Sequence, residues 1–443
     1  MAKIGFVSLG CAKNLVDTEV MLGMLAQGGH QITPFQHEAE IIVVNTCGFI
    51  DPAKEESVNT ILEMATHKTR GNCRRLVVAG CLVERYREQI LREIPEVDAV
   101  IGTSEIPRIL EACSTAALPP VYEPRDLFLY SDRDPRILTT PSHWAYIKIA
   151  EGCDHPCTFC VIPRMRGRFR SRPPDSIVDE ARRMAQNGVR EVNLVAQDST
   201  MYGWDAGNRK GLSELLRRLG EIEELAWIRF LYAYPTSIYD DLLDAIAETP
   251  KVCKYIDMPL QSASREVLRR MKRGGNRESL VRLVERIRHR IPEVAIRTTM
   301  IVGFPGETEE DFRQSIAFAK EVEFDRLGAF AYSDEEHAAS FPLDGKVSEA
   351  VKRDRLNRLM EAQGEIAARR NGGLVGRTLP VLIEGLSEET DLLWQGRLPS
   401  QAPEIDGVVY LNDGVTQKVR PGEILPVRIT EAHRYDLVGA IQH

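Results

Sequence analysis

Cys153, Cys157 and Cys160 stand at C-x3-C-x2-C spacing just after an apolar run. A tight loop of this kind places three soft thiolates on three corners of one 4Fe-4S cluster and leaves the fourth iron without a protein ligand. An iron with an open position indicates that a small molecule binds there. Zinc is an alternative, with His155 as a further ligand, although zinc sites normally use four ligands in two pairs. A disulfide is a weaker alternative, because three clustered cysteines cannot all pair.

Three more of the nine cysteines follow apolar, β-branched runs of the kind found in buried parallel strands. Residues at the carboxyl ends of parallel strands converge in the crevice where open α/β sheets bind ligands. We therefore predict a second 4Fe-4S cluster, with zinc or a redox-active thiol trio as alternatives. Flanking glycines at positions 10, 48 and 80 let the backbone turn closely around a cofactor. The cysteines are Cys11, Cys47 and Cys81, after runs at residues 4–9, 41–44 and 75–79.

Alternating apolar runs and helical periodicity define the elements that position these thiols. The first part of the chain, with a further run at residues 97–101, predicts a doubly wound α/β parallel sheet covered on both faces. The central part predicts a partial barrel of six βα units, whose chemistry lies at the carboxyl ends of the strands. The six strands are predicted at residues 145–150, 191–197, 228–234, 255–261, 295–303 and 326–332.

Composition divides the chain into three domains joined by one linker. Prolines accumulate between residues 113 and 143 without periodicity, which is typical of a linker. The last part has short apolar runs at residues 379–383, 407–411 and 424–429, which predict a small OB-like β-barrel. The predicted domains are residues 1–118, 144–372 and 373–443, with a linker at 119–143.

The charge distribution favours a protein partner over nucleic acid. The chain has a net charge of −8, and residues 373–443 contain ten acidic and six basic side chains, a net charge of −4. RNA-binding domains neutralise phosphates with Lys and Arg, so this balance favours a basic protein. The apolar run at the amino terminus is too short for a secretory signal and no run reaches membrane-spanning length, so we expect a cytoplasmic protein.

Five arginines alternate after the cysteine loop, at positions 164, 166, 168, 170 and 172. Such a charge run is usually a solvated face. In a strand, this alternation would instead point all five side chains to one side, towards an anionic group. The pattern does not distinguish the two interpretations.

The C-x3-C-x2-C motif, with Phe159 before its last cysteine, resembles the signature of radical S-adenosylmethionine enzymes. The resemblance implies that the open iron chelates S-adenosylmethionine and that one electron cleaves it to methionine and a 5′-deoxyadenosyl radical. It also implies that residues at the strand ends approach this cosubstrate. The expected contacts are Phe159, Gln197, Gln261, Gly303 and Glu307.

The order of the three parts is similar to that of the methylthiotransferase family, whose last domain is a TRAM domain. Residues 9–14, 45–51 and 402–407 are similar to the RimO branch. This resemblance implies conversion of an aspartate of ribosomal protein twelve of the small subunit to 3-methylthioaspartate, with one S-adenosylmethionine as radical source and a second as methyl donor. It assigns the auxiliary cluster of Cys11, Cys47 and Cys81 to the transferred sulfur.

Two alternative functions remain at this point. One is methylthiolation of adenosine in tRNA, which the arginine run and the domain type favour. The other is a non-catalytic iron-sulfur carrier, which explains six ligands but not the barrel. For the enzyme we expect an electron donor such as flavodoxin or ferredoxin, a substrate met free or in the ribosomal subunit, no membrane contact and a monomeric state.

Overall fold

The computed structural model describes residues 1–114, 128–387, 389–390 and 392–442. The predicted linker at 119–143 begins outside these residues, because 119–127 are not among them. None of the helices in the described ranges has both the length and the apolar character needed to cross a membrane.

The described residues form eighteen strands and thirteen α-helices. The strands are β1 Lys3–Ser8, β2 Gln31–Thr33, β3 Ile41–Thr46, β4 Arg75–Gly80, β5 Ala99–Ile101, β6 Trp144–Lys148, β7 Ala150–Glu151, β8 Arg170–Ser171, β9 Glu191–Val195, β10 Trp227–Phe230, β11 Tyr255–Asp257, β12 Ala295–Val302, β13 Arg326–Ala331, β14 Thr378–Leu386, β15 Trp394–Arg397, β16 Val409–Asp413, β17 Ile424–Ala432 and β18 Leu437–Ile441. The helices are α1 Ala12–Gln27, α2 Asp51–Ala65, α3 His67–Arg70, α4 Cys81–Glu93, α5 Ile109–Ala112, α6 Ile162–Arg166, α7 Pro174–Gln186, α8 Gly211–Gly220, α9 Asp240–Glu248, α10 Arg265–Arg270, α11 Arg277–Arg290, α12 Glu309–Val322 and α13 Glu349–Gly372.

The first sheet has five parallel strands in the order β2-β1-β3-β4-β5. All six residues of β3 are buried because successive side chains enter cores on opposite faces of the sheet. Val43 belongs to the core with α1, whereas Ile42 and Val44 belong to the core on the other side. The predicted doubly wound sheet is confirmed, and the strands β1, β3 and β4 are direct neighbours.

The central part is a curved parallel sheet of six principal strands with helices outside it. Strands β6, β9 and β10 form one half, and β11, β12 and β13 form the other. A parallel bridge between Ile228 and Val252 and a hydrogen bond from Cys253 N to Ile228 O (2.9 Å) connect the halves. The predicted partial barrel of six βα units is therefore confirmed.

Two predicted strands of the barrel are shorter than expected, and the run at residues 228–234 forms a strand only as far as Phe230. The run at residues 255–261 forms a strand only as far as Asp257. Pro259 has no N–H and cannot donate to the ladder. The chain still follows β12, because Gln261 N donates to Thr299 O (2.9 Å).

The interior of the barrel is polar, and the last domain closes the end where its strands begin. Tyr146, Asn193 and Arg229 are adjacent in register on β6, β9 and β10, and all three are buried. Arg229 donates to Pro399 O (2.8 Å), and Tyr255 donates to Asp406 (2.7 Å). Among the described residues, the last domain therefore covers the end of the barrel where the strands begin.

The last domain is a closed five-stranded barrel in the order β14-β15-β16-β18-β17. Strands β16 and β18 pair in parallel, and the other neighbours are antiparallel. The OB-like barrel is confirmed, although two of its strands escaped prediction. Strands β15 and β18 are short, and Gly396 and Gly439 interrupt their apolar pattern.

Candidate active site

The first cysteine set lies on one loop at the carboxyl end of the first barrel strand. Backbone hydrogen bonds from Cys153 N to Gly167 O (3.1 Å) and from Thr158 N to Met271 O (3.0 Å) hold this loop. The Thr158 hydroxyl also donates to Arg270 O (2.9 Å). The loop is therefore shaped by contacts within the barrel itself.

His155 has two partners inside this loop. Its imidazole stacks on the Tyr234 ring, with centroids 3.6 Å apart, and its Nε2 forms a hydrogen bond with Asp198 Oδ2 (2.6 Å). These contacts fix the ring against β9 and β10 and commit one of its nitrogens. The alternative of zinc with His155 as ligand is accordingly not supported by the structure.

The environment of the first set opposes free thiolates. Burial raises the pKa of the Cys153 and Cys160 thiols to about 12. Arg273 Nη1 lies 3.6 Å from Cys157 Sγ, and the same guanidinium covers the Tyr234 ring at 4.2 Å. Thiols of this kind lose their protons when a metal binds, since metal coordination deprotonates a thiol directly.

The second set is assembled from three neighbouring strands, as the sequence predicts. Cys11 precedes α1 after β1, Cys47 follows β3, and Cys81 is the first residue of α4 after β4. Cys11 and Cys81 thus lie at the amino ends of helices, where the helix dipole favours a negative charge. A Cβ on Gly10, next to Cys11, would lie 3.3 Å from Cys47 Sγ, and a Cβ on Gly48, next to Cys47, would lie 3.0 Å from Cys81 O, so the three strand ends share one region.

Side-chain amides and two left-handed glycines hold these strand ends together. Asn14 donates to Leu9 O (2.6 Å), and Asn45 donates to Asn14 O (2.9 Å). Gly10 has φ +93°, and a Cβ there would lie 2.9 Å from Cys47 Cβ. Gly80 has φ +96°, and a Cβ there would lie 2.3 Å from Asn45 Oδ1. The close approach therefore requires glycine at both positions.

The three thiols of the second set differ in their surroundings. Burial raises the pKa of Cys81 to about 12, and it also raises the pKa of Cys47. Cys11 is exposed, and although desolvation opposes ionisation of its thiol, the charges of Lys13 and Arg166 together with backbone hydrogen bonds lower its pKa. Two cations therefore favour negative charge at this end of the sheet.

Arg166 connects the second cysteine set to the barrel through a buried network of charges. Its Nη2 donates to Cys81 Sγ (3.3 Å), and its Nη1 bonds Asp17 (3.0 Å) and Glu151 (3.1 Å). Lys148 bonds the same two carboxylates. Since Asp17 belongs to α1 and Glu151 to the barrel, this network fixes the first sheet against the mouth of the barrel.

Neither of the two open interpretations, a solvated face or a strand with its arginines on one side, describes all five arginines. Residues Ile162–Arg166 form helix α6, so the five arginines do not follow one strand. Arg166 and Arg172 are buried in separate ion-pair networks, whereas Arg168 is exposed, with 91% of its side chain accessible. Pro163 in the first turn of α6 and Gly167 directly after it are the helix start and stop signals that account for the difference.

The expected cosubstrate contacts fall into two groups. Gln197 donates to Glu151 (2.8 Å), and its own Oε1 is buried without a partner among the described residues. Gln261 is buried at φ +73°, a conformation that is rare for residues with a side chain. Both side chains lie at strand ends beside the first cysteine set, and their contact with a cosubstrate stays a prediction.

The other expected contacts lie around the turn after β12. Glu307 accepts a hydrogen bond from Gly303 N and pairs with Arg355 (2.8 Å), so its carboxylate stabilises this turn. Burial raises the pKa of Glu307 to about 7. Phe159 packs against the apolar cluster of Phe304 and its neighbours. These three contacts also stay predictions.

Three polar residues of the site were not singled out from the sequence, and the role of a fourth, Arg166, was left open there. Lys13, Arg166 and Glu151 lie between the two cysteine sets, and Tyr232 at the end of β10 has its ring centroid 3.4 Å from Lys13 Nζ. Lys13 follows Cys11 closely in the sequence, and Arg166 lies in the arginine run, so position gave a weak signal for both. No local sequence pattern indicated a role for Glu151 or Tyr232.

The donor sets fit clusters better than single metal ions. No group of three or more His, Cys, Asp or Glu side chains in the described ranges has the spacing that one metal ion requires. A 4Fe-4S cluster holds each thiolate on a different iron and so needs wider separation. Each set offers three thiols, and cations lie beside both to offset the charge of thiolates.

Family comparisons cover most of the chain. Residues 147–319 match the Radical SAM superfamily, residues 3–102 match the Uncharacterized protein family UPF0004, and residues 375–441 match the TRAM domain.

Curated relatives align over nearly the whole chain. The ribosomal protein uS12 methylthiotransferase RimO of Solibacter usitatus is 57% identical over 99% of this chain and 94% of its own length. The enzyme of the same name from Geobacter sulfurreducens is 48% identical over 99% and 98%.

Solved structures share the fold at low sequence identity. The radical S-adenosylmethionine methyltransferase TsrM from Kitasatospora setae, with cobalamin and a [4Fe-4S] cluster bound, superposes with a TM-score of 0.55 at 16% identity over 77% of each chain. The cobalamin-dependent S-adenosylmethionine radical enzyme OxsB gives a TM-score of 0.53 at 11% identity, over 82% of this chain and 56% of its own.

Proposed function

This chain belongs to the RimO family of ribosomal protein uS12 methylthiotransferases, and on that premise we propose a role for each part of its site. Its activity is methylthio transfer to uS12 by radical S-adenosylmethionine chemistry. The acceptor we propose is the β-carbon of an aspartate, which becomes 3-methylthioaspartate. The observation that best supports this assignment is the hydrogen bond by which Arg166, on the helix that follows the first cysteine loop, reaches Cys81 of the second set.

We assign one cluster to each cysteine set. Cys153, Cys157 and Cys160 would hold the cluster that binds S-adenosylmethionine, and Cys11, Cys47 and Cys81 would hold the auxiliary cluster. When bound, S-adenosylmethionine would supply the radical and the methyl group of the reaction, and the auxiliary cluster would supply the sulfur.

The protein residues around the site position these groups and exclude water. Val161 and Met165 pack beside Cys81 in a small apolar cluster at the junction between sheet and barrel. Arg166 holds helix α6, which follows the first cysteine loop, against Asp17, Glu151 and Cys81. Exclusion of water matters here, because a carbon radical at an unactivated position reacts with whatever it meets.

The tRNA alternative is not favoured. Arg397, one of six basic residues in the last domain, is buried and paired with Glu191 (2.6 Å) and Glu384 (2.6 Å). Arg377 pairs with Glu293 (3.1 Å). Arg397 is therefore withdrawn from solvent, and the charge of Arg377 is offset by a neighbouring carboxylate, which weakens the case for a phosphate-binding face.

Mass spectrometry tests the substrate directly. The cluster-reconstituted protein is incubated anaerobically with reductant, S-adenosylmethionine, sulfide, and small ribosomal subunits alongside tRNA, each from a strain that lacks the modification. We expect a methylthio increment on an aspartate of uS12. An increment on adenosine alone would transfer the assignment to tRNA, and no cleavage of S-adenosylmethionine would contradict both.

We further propose the boundaries and surroundings of the enzyme. The domains are residues 1–118, 144–372 and 373–443, which the three family matches support. A flavodoxin or ferredoxin supplies electrons. The protein is a monomer, and it binds uS12 in the cytoplasm, the compartment that contains the ribosomes. Light scattering on the reconstituted protein tests the monomer, and replacement of dithionite by each reduced carrier tests the donor.

A further inference from the structure

Lys13 is exceptional among the buried cations of this protein. Eight Lys and Arg residues are buried in the described part of the chain, and Lys13 is 8% exposed. The other seven each pair with a carboxylate. These seven are Lys148, Arg166, Arg172, Arg229, Lys352, Arg355 and Arg397.

No carboxylate in the described ranges forms an ion pair with Lys13. The charged or ionisable groups that face it are Cys11, Tyr232 and Arg166. Its Nζ lies 3.4 Å from the centroid of the Tyr232 ring. A cation–π contact is attractive, but it replaces only part of the hydration that a buried ammonium loses. The ammonium therefore retains the capacity to bind an anion.

Lys13 lies between the two parts of the site. It belongs to the first turn of α1, two residues after Cys11. Its neighbour Tyr232 follows β10 at the mouth of the barrel. A substrate carbon that meets both the barrel mouth and the auxiliary cysteines must pass close to this ammonium.

The Tyr232 ring is held in place by its backbone. Tyr232 has φ +65°, and its N–H donates to Asp257 Oδ2 (3.0 Å). Asp257 is itself paired with Arg297 (2.7 Å). Such a strained backbone conformation persists only where the surroundings determine it, and it is frequent at binding sites.

We propose that Lys13, positioned by the Tyr232 ring, binds the side-chain carboxylate of the substrate aspartate next to the carbon that reacts. This subsite rests on the proposed function, because only an aspartate substrate brings a carboxylate to the adjacent carbon. It also gives the site a physical basis for preferring aspartate over an uncharged acceptor.

The test compares small ribosomal subunits that differ at one residue of uS12. One strain provides unmodified subunits with the target aspartate, and a second provides subunits with Asn at that position. Dissociation constants are measured anaerobically by fluorescence anisotropy of the labelled, reconstituted protein. The proteins are wild type, Lys13→Met, Lys13→Arg, and Lys320→Met, which removes the same charge from an exposed position on α12.

We expect the wild type and Lys320→Met to bind the aspartate subunits about tenfold more tightly than the Asn subunits. Lys13→Met should bind both equally, and Lys13→Arg should keep most of the preference. Iron and sulfide analysis accompanies each variant. If Lys13→Met loses auxiliary iron, the test rests on the wild type and Lys13→Arg. Equal binding of aspartate and Asn subunits by the wild type would then overturn the proposal.

A tenfold preference that persists in iron-replete Lys13→Met also overturns the subsite. Failure of the proposed function has a different signature, since the wild type would then add no methylthio group to either kind of subunit under turnover conditions. Failure of the subsite alone leaves wild-type methylthiolation of aspartate intact.

Discussion

Cys153, Cys157 and Cys160 lie on one loop, whereas Cys11, Cys47 and Cys81 lie at the ends of three strands. The loop is held by backbone hydrogen bonds to Gly167 and Met271, so its shape depends on a few contacts within the barrel. The strand ends come together only when β1, β3 and β4 pair in the correct order.

The three cysteines on one loop are called the loop set, and the three at strand ends are called the assembled set. The two sets therefore depend on folding in different ways. A contiguous set survives small changes elsewhere, because the chain itself keeps its members close. An assembled set is sensitive to any change that shifts one strand end, because its members are far apart in sequence. We expect perturbations of equal energetic cost to affect auxiliary iron more than the iron beside S-adenosylmethionine.

Loss of one ligand from each set gives the largest effects and separates their roles. Cys157→Ala should abolish cleavage of S-adenosylmethionine, because the cluster that binds it loses one of three ligands. Cys47→Ala should retain cleavage and lose methylthiolation. The measurements are 5′-deoxyadenosine formation and the methylthio increment on uS12. Full product formation by either variant would contradict the role assigned to its set.

Removal of Arg166, the buried cation between the first sheet and the barrel, should have the next largest effect. Arg166→Met leaves Lys148 as the remaining ion-pair partner of buried Asp17 and Glu151 among the described residues, and we expect a loss of about 3–5 kcal/mol in the free energy of unfolding. The matched control is Arg168→Met, because Arg168 is in the same run but exposed, and its cost should be under about 0.5 kcal/mol. Urea unfolding of the iron-free proteins measures both. Equal costs would show that Arg166 is not a structural junction.

Substitution of a glycine at the assembled set should cost less free energy of unfolding than loss of Arg166, and its effect can also be measured as loss of auxiliary iron. Gly80→Ala places a methyl group 2.3 Å from Asn45 Oδ1 at φ +96°, so strain and collision add. We expect a loss of about 2–3 kcal/mol together with loss of auxiliary iron. Gly188→Ala is the control, because Gly188 has φ +99° but nothing within 4 Å of the added methyl group. It should cost about 1 kcal/mol and leave both clusters in place.

The sequence predicted the six cysteines and their grouping for different reasons. The loop set is visible because its spacing is local. The assembled set is visible because Cys11, Cys47 and Cys81 each follow a strand, and the direction of parallel strands is enough to place all three on one edge. Neither inference required side-chain conformations.

Contacts between distant segments were not predictable in the same way. The pairing of Lys13 with Tyr232 depends on how the first sheet is placed against the barrel, which no local pattern determines. The direction of Arg166 was not predicted, because the alternation left a solvated face and a strand open, whereas Pro163 and Gly167 mark a short helix. Strands β15 and β18 were missed, since closure of the last barrel depends on pairing that short, glycine-interrupted runs do not reveal.

The smallest effects are expected when one hydroxyl near each cysteine set is removed. Thr158 donates to Arg270 O (2.9 Å) beside the loop set, and Ser57 donates to Cys47 O (2.9 Å) and accepts from Cys47 N (3.0 Å) in the assembled set. Thr158→Val and Ser57→Ala should each lower the free energy of unfolding by about 1–2 kcal/mol, because each leaves a buried polar group without its partner.

Their effects on iron should nevertheless differ. In Thr158→Val, the backbone bond from Thr158 N to Met271 O remains and the loop keeps its shape, so both clusters should assemble. In Ser57→Ala, both side-chain bonds that hold the backbone of Cys47 are lost, so auxiliary iron should decrease while iron beside S-adenosylmethionine stays. Mössbauer spectra and 5′-deoxyadenosine formation distinguish the two clusters. Equal retention of auxiliary iron in both variants would mean that assembly from separate strands does not make a cysteine set more fragile than one loop.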